Sequence, residues 1–131
     1  MKSGIELIQS ERWAQINVKG FTIDHDKVHA PKEAFQDSKL VLAAHAYEYA
    51  ALDQLDPDRI RPGMKLNIAP APWPWDEAWW KSGTPKRMLT KAGALYLAEA
   101  DRVRANKWKQ LIAKSHAVRC GQLIDLISRP D

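Results

Sequence analysis

One cysteine, Cys120, stands in the 131 residues. That excludes a disulfide framework within the chain and any zinc site built from several of its own thiolates. Long hydrophobic runs are also missing. The longest uncharged apolar stretches, Leu40–Tyr47 and Ala92–Ala98, fall far short of the roughly 20 residues that a membrane-crossing helix needs. Met1-Lys2-Ser3-Gly4 leads into a charged amphipathic segment and lacks the apolar core of a secretory signal. The expectation is a cytoplasmic chain with no membrane partner. Six glycines make no Gly-rich phosphate loop, no Rossmann fingerprint and no nucleophile elbow. Carboxylates paired at helical offsets are lacking too. Glu11 meets Ala14 and Gln15 three and four residues on, Glu48 meets Ala51 and Leu52, and Glu99 meets Arg102 and Val103. Only those offsets bring two acids of one helix onto one Mg²⁺, so hydrolysis on a bundle would need single acids from several helices.

What is present suits one helical domain. The length can close a single core, and 45% hydrophobic with 27% charged residues is the mix of a folded chain. Ser3-Gly4-Ile5-Glu6 reads as a capping box. Ile5, Ile8 and Ile16, with Trp13 beside them, give the helix that follows an apolar side, and Gly20 should end it. Residues 20–36 have neither helical nor strand period and read as a long ordered loop. A second helix starts near Asp37 or Ser38 with Leu40, Ala44, Tyr47, Ala51 and Leu55 on one face. Five prolines at 57, 62, 70, 72 and 74 exclude regular helix or central strand over 56–75, and Asp76–Lys81 should form a single turn. Thr84-Pro85 is an N-cap with a first-turn proline. The helix it opens is apolar on two sides through Leu89, Ala92, Tyr96, Ala100 and Leu95, Leu97, Ala98, which predicts the central position. A last helix, Lys107–Val118, aligns Trp108, Leu111, Ile112 and Val118 and should break near Gly121, before an apolar end Leu123–Ile127. The expected fold is an all-α bundle of about four helices with two long ordered loops. A ligand-binding domain 1–102 would be followed by a basic helical extension 103–131, packed on it or used for self-association.

The charge is uneven. From Arg102 onward seven basic residues face two acidic ones, a balance of +5, which leaves −1 for Met1–Asp101 out of the net +4. Because Lys107 and Lys109 flank Trp108 opposite the apolar stripe, the basic residues read as a solvated face, and a nucleic-acid partner is disfavoured. Asp24, His25, Asp26 and His29 could meet on a divalent ion, but the spacing matches no zinc-finger or HExxH pattern, so they read as side chains that bond loop amides and no metal site is expected. Cys120 reads as a small buried apolar residue. The densest chemistry is aromatic: four of the six tryptophans lie between Trp73 and Trp80, with Lys81, Lys86, Arg87 and Lys91 directly after them. Indoles on a proline-stiffened loop can stack a flat ligand or plug a core. Basic side chains at a helix start can take its phosphates.

Three segments carry a resemblance. Glu11-Arg12-Trp13-Ala14-Gln15-Ile16, Gly20-Phe21-Thr22, and Asp24-His25-Asp26 with His29 resemble the ER-x-x-QI, G-W-T and H-D-D…H pattern of a small phage and prophage family. Leu42–Tyr47, Trp73–Trp75, Trp79–Lys81 and Leu89–Arg102 match later parts of it in order. The family is labelled as the N-terminal region of dATP/dGTP diphosphohydrolase-like proteins. Departures fall at Asp37-Ser38-Lys39 and Met88, where the family has acids, and at Phe21, where it has Trp. More loosely, Trp13, Gly20-Phe21-Thr22, Asp26-Lys27 and His29 resemble the repeat of ryanodine receptors.

Both resemblances imply a nucleotide-like small-molecule ligand, and the expected function is a module that binds and sequesters it without cleavage. Trp75, Trp79 and Trp80 with Trp13 or Phe21 would stack the base. Lys81, Arg87 and Lys91 would neutralise phosphate, and Asp26 and His29 would bond the sugar or base edge. No cofactor is then needed. One alternative is a Mg²⁺-dependent nucleoside triphosphate diphosphohydrolase that uses Glu11, Asp26 and Glu99. Another is a DNA-contacting or structural accessory protein that uses the basic tail. Self-association would run through the C-terminal helix.

Overall fold

A computed structural model describes residues 2–17, 34–60 and 68–129. Four α-helices carry the chain: α1 (Gly4–Asn17), α2 (Lys39–Leu55), α3 (Pro85–Arg102) and α4 (Lys107–Ile127). Single 3₁₀ turns stand at Phe35–Asp37, Pro57–Arg59 and Glu77–Trp79, and no strand occurs among the described residues. The fold is an all-α bundle. No described helix is long and apolar enough to cross a membrane.

The helix starts are locally encoded. The Ser3 amide donates to Glu6 Oε1 at 3.1 Å while the Glu6 amide donates to Ser3 Oγ at 3.3 Å, which completes the capping box. The Thr84 hydroxyl accepts from the Arg87 amide, with Pro85 at the first turn of α3. Asn106 caps α4 in the same way through the Lys109 amide.

The helix α3 is central, as its two apolar sides predict: α2 and α4 pack along it, and α1 crosses α3 and α4. Met88, Leu89, Ala92, Leu95 and Tyr96 of α3 are buried with Ile8 of α1, Val41 and Tyr47 of α2, and Ala117, Cys120 and Ile124 of α4. Small residues set the close crossings. A Cβ on Gly93 would lie 2.4 Å from Ile8 Cδ1, and one on Gly4 would lie 2.1 Å from the Gly121 carbonyl oxygen.

Two expectations about faces are overturned. In α4 the core side is Ala113, Ala117, Cys120, Gly121 and Ile124, and the stripe Trp108, Leu111, Ile112 and Val118 faces solvent, with Trp108 75% exposed. Gly121 does not break this helix, which runs on to Ile127. Its missing side chain admits Gly4 of α1, whose amide also donates to Asp125 Oδ1 at 2.7 Å. In α1 the buried side holds Ile8 together with Glu11, Arg12 and Gln15, while Trp13 is exposed. Glu11 and Arg12 find partners on α3 and Gln15 accepts from Arg12 within α1, so the burial leaves no orphaned charge. Gly20 and most of the loop 20–36 lie outside the described residues.

Candidate functional site

The Trp-Pro segment folds into a tight corner over α2 and the start of α3. Asp76 caps the 3₁₀ turn by accepting from the Ala78 amide, and the Trp73 indole nitrogen donates to the Asp76 carbonyl at 3.1 Å. Glu77 accepts from the Ala69 amide, and Gln54 of α2 donates to the Gly83 carbonyl. These ties fix four rings. Tyr47 stacks on Trp80 at 4.5 Å between centroids. Trp73 stands edge-on to Tyr47, Trp75 and Trp80 at 5.5, 5.2 and 5.0 Å. Lys91 Nζ lies 5.4 Å from the Tyr47 ring centre and donates to the Lys81 carbonyl at 3.4 Å.

Around the same tyrosine sit the charges. Arg87 reaches across to Glu11 of α1 with both terminal nitrogens, at 2.8 and 3.1 Å. Burial raises the Tyr47 pKa, against the opposing pull of the Lys81 backbone and of Arg87. The structure therefore gathers Trp75, Trp80, Lys81, Arg87, Lys91 and Glu11 of the expected residues around Tyr47, which the sequence reading had placed only on a core face. Trp79 projects from the corner, 68% exposed, and makes no ring contact among the described residues. Trp13, exposed on α1, likewise makes no described ring contact with Trp75, Trp79 or Trp80. Phe21, Asp26 and His29 lie outside the described residues, as do Asp24 and His25.

One atom of this corner is out of balance. Trp80 is 7% exposed, yet its indole nitrogen is buried with no hydrogen-bond partner among the described residues. A buried N–H with no acceptor costs roughly 1–3 kcal/mol, and native chains rarely leave one so.

The other proposed acid, Glu99, is 1% exposed. Its two carboxylate oxygens accept from Arg102 at 2.6 and 2.7 Å, and one also accepts from the Ser38 hydroxyl at 2.9 Å. Beside it Arg12 donates to Asp101 at 2.8 Å. Glu11 and Glu99 are thus each bound by an arginine rather than turned toward one another. Among the described residues no group of three His, Cys, Asp or Glu could hold a metal ion.

A second polar cluster, unforeseen from the sequence, joins α2, α3 and α4. Tyr96 donates its hydroxyl proton to Glu48, and Glu48 also takes Arg119 Nη2 on both oxygens at 2.8 Å. Having donated its only proton, the Tyr96 oxygen must accept from His45 Nδ1, 2.6 Å away, which leaves His45 Nε2 as the unprotonated nitrogen of the neutral ring. His116 stacks on Tyr96 at 4.9 Å with its Nδ1 buried and unpartnered among the described residues, and Phe35 covers both rings. Burial holds both imidazoles below their ordinary pKa of 6.5, with Arg119 acting the same way. The Cys120 thiol is pushed well above its ordinary value, first by burial and then by Glu48, so no nucleophile is poised there. A signal was present: His45 and Glu48, and again His116 and Arg119, stand three residues apart on helices.

The described residues form an all-α module with an aromatic corner beside several cations and an internal imidazole network. No family model, curated protein or solved structure matches the chain.

Proposed function

We propose that this chain binds a nucleotide-like ligand at the corner between the tryptophan segment and the start of α3, and holds it without cleavage. The observation that carries the reading is the buried indole N–H of Trp80, which has no acceptor among the described residues. A ring nitrogen or carbonyl on the edge of a base supplies such an acceptor when the corner opens to admit it, because the nitrogen has no exposed surface in the closed corner. The four rings already touch, so the base stacks on an outer indole face, that of Trp75 or Trp79, rather than between them. Lys81 and Lys91 stand within reach of a phosphate, while Arg87 is partly neutralised by Glu11. Asp26 and His29 stay in the proposal as contacts to the sugar or base edge. Holding without cleavage is supported by the arginines on Glu11 and Glu99, which keep both acids from converging on Mg²⁺. By its resemblance to a phage family, the chain would act as a sink for a nucleotide-derived signal.

The test is a panel of nucleotides, cyclic dinucleotides and ADP-ribose derivatives incubated with the chain and Mg²⁺. Free nucleotide is measured by chromatography before and after heat denaturation. A peak that disappears and returns unchanged supports binding. New product peaks that vanish with EDTA would make the chain a diphosphohydrolase, and an untouched panel removes the nucleotide reading.

A further inference from the structure

The outer side of α4 carries a seam that no described element of the chain covers. Trp108, Leu111, Ser115 and Val118 recur at steps of three, four and three residues, the spacing that keeps one narrow line of a helix facing a partner helix. They lie opposite the core line Ala113, Ala117, Cys120 and Ile124, and all four are exposed. Ile112 widens the apolar line on one side. The Ser115 hydroxyl donates to the Ile112 carbonyl at 2.7 Å, so the seam's small polar member is satisfied within its own helix.

The flanks of this seam have one sign. Lys107 and Lys114 stand directly before Trp108 and Ser115, and Arg119 directly after Val118. In a paired helix such positions face the partner's flanking residues and choose it by charge. Arg119 keeps an exposed side even though Nη2 is bonded to Glu48. No acidic residue occurs between Asp101 and Asp125. A second copy of the chain would set lysine against lysine or arginine in either orientation, so charge argues against self-pairing here. The narrow line, interrupted by Ser115, also suits a facing helix better than a lipid surface, which favours a broad face of bulky side chains.

From this we infer that the exposed seam of α4 is a docking surface for an acidic amphipathic helix of another protein, with the partner's apolar residues along Trp108, Leu111 and Val118 and its carboxylates beside Lys107, Lys114 and Arg119. The probe is a synthetic helical peptide with Leu on the seam and Glu on both flanks, whose own charges disfavour self-pairing, set against a twin with Lys on the flanks. Fluorescence anisotropy of each labelled peptide is followed on titration with the full chain. The acidic peptide should bind at least about tenfold more tightly than the basic one. Trp108→Ser with Leu111→Ser should abolish the binding, and Lys107→Glu with Lys114→Glu should reverse the preference toward the basic peptide. All four side chains are exposed, so circular dichroism should show each variant folded. Equal binding of the two peptides, no binding of either, or a preference unmoved by charge reversal overturns the inference. So does concentration-dependent dimerisation, or capture of anionic vesicles or duplex DNA, lost in the Trp108→Ser, Leu111→Ser variant.

Discussion

Replacing Tyr96 by Phe removes one oxygen from the interior and tests whether the imidazole network holds three helices together. The Tyr96 side chain is fully buried, its hydroxyl donates to Glu48 and it accepts from His45. A hydrogen bond to a charged group contributes about 1.5–3 kcal/mol and a neutral one about 0.5–1.5 kcal/mol. Part of this is recovered, because Glu48 keeps Arg119 and the half-buried His45 can turn to water. The expected loss is about 3 kcal/mol, which lowers the melting temperature by about 10 °C in a chain of this size. Urea unfolding followed by circular dichroism at about pH 8, where both imidazoles are neutral, gives the value. Tyr49→Phe, exposed on α2 beside His45 and Glu48, is the control and should change stability by less than about 0.5 kcal/mol. A loss below about 1 kcal/mol for Tyr96→Phe would show that Glu48 and His45 are satisfied without the hydroxyl, and the network would then have no stabilising role.

Gly93→Ala brings a Cβ to 2.4 Å from the Ile8 side chain, which can shift, and should cost about 1–3 kcal/mol in a denaturant titration. Gly4→Ala meets the Gly121 backbone oxygen at 2.1 Å, where nothing can yield, and should cost more; the reverse order would contradict the close crossing of α1 and α4. Arg102→Met leaves Glu99 buried with only the Ser38 hydroxyl and should destabilise by about 3–5 kcal/mol, with a second change, Glu99→Gln, restoring part of it. His45 and His116 have folded pKa values below 6.5, so the unfolded chain takes protons that the fold refuses. Their contribution is intact above the unfolded value and is lost as pH falls through it. Urea midpoints should therefore drop between about pH 7 and pH 5.5, and the His45→Gln, His116→Gln double variant should flatten that drop.

The parts of the fold legible in the sequence were those decided locally. Ser3 and Glu6, Thr84 and Pro85 mark helix starts by chemistry within one turn, and the two apolar sides of α3 state its central place. Side-chain bulk points to the wrong face of α4 as the core. The crossing with α1 needs Gly121, the rest of the buried line holds small residues such as Ala113 and Ala117, and Trp108 and Leu111 turn outward. In α1 the buried Glu11 and Arg12 find partners on α3, 76 and 89 residues further along, and no local period encodes such a pairing. The tryptophan corner was legible as a cluster with cations beside it. What could not be read was that Tyr47 sits at its centre and that Trp80 leaves its N–H without an acceptor.

That N–H gives the most direct test of the proposed function. An ¹H–¹⁵N spectrum of the labelled chain resolves the indole resonances, and the one absent in Trp80→Phe belongs to Trp80. On titration with a nucleotide that the chain retains in the panel assay, the Trp80 resonance should move downfield as its N–H gains an acceptor, with Trp108 on the far helix unmoved. If the nucleotide is held while the Trp80 resonance stays fixed, the ligand sits elsewhere and the assignment of this corner is wrong.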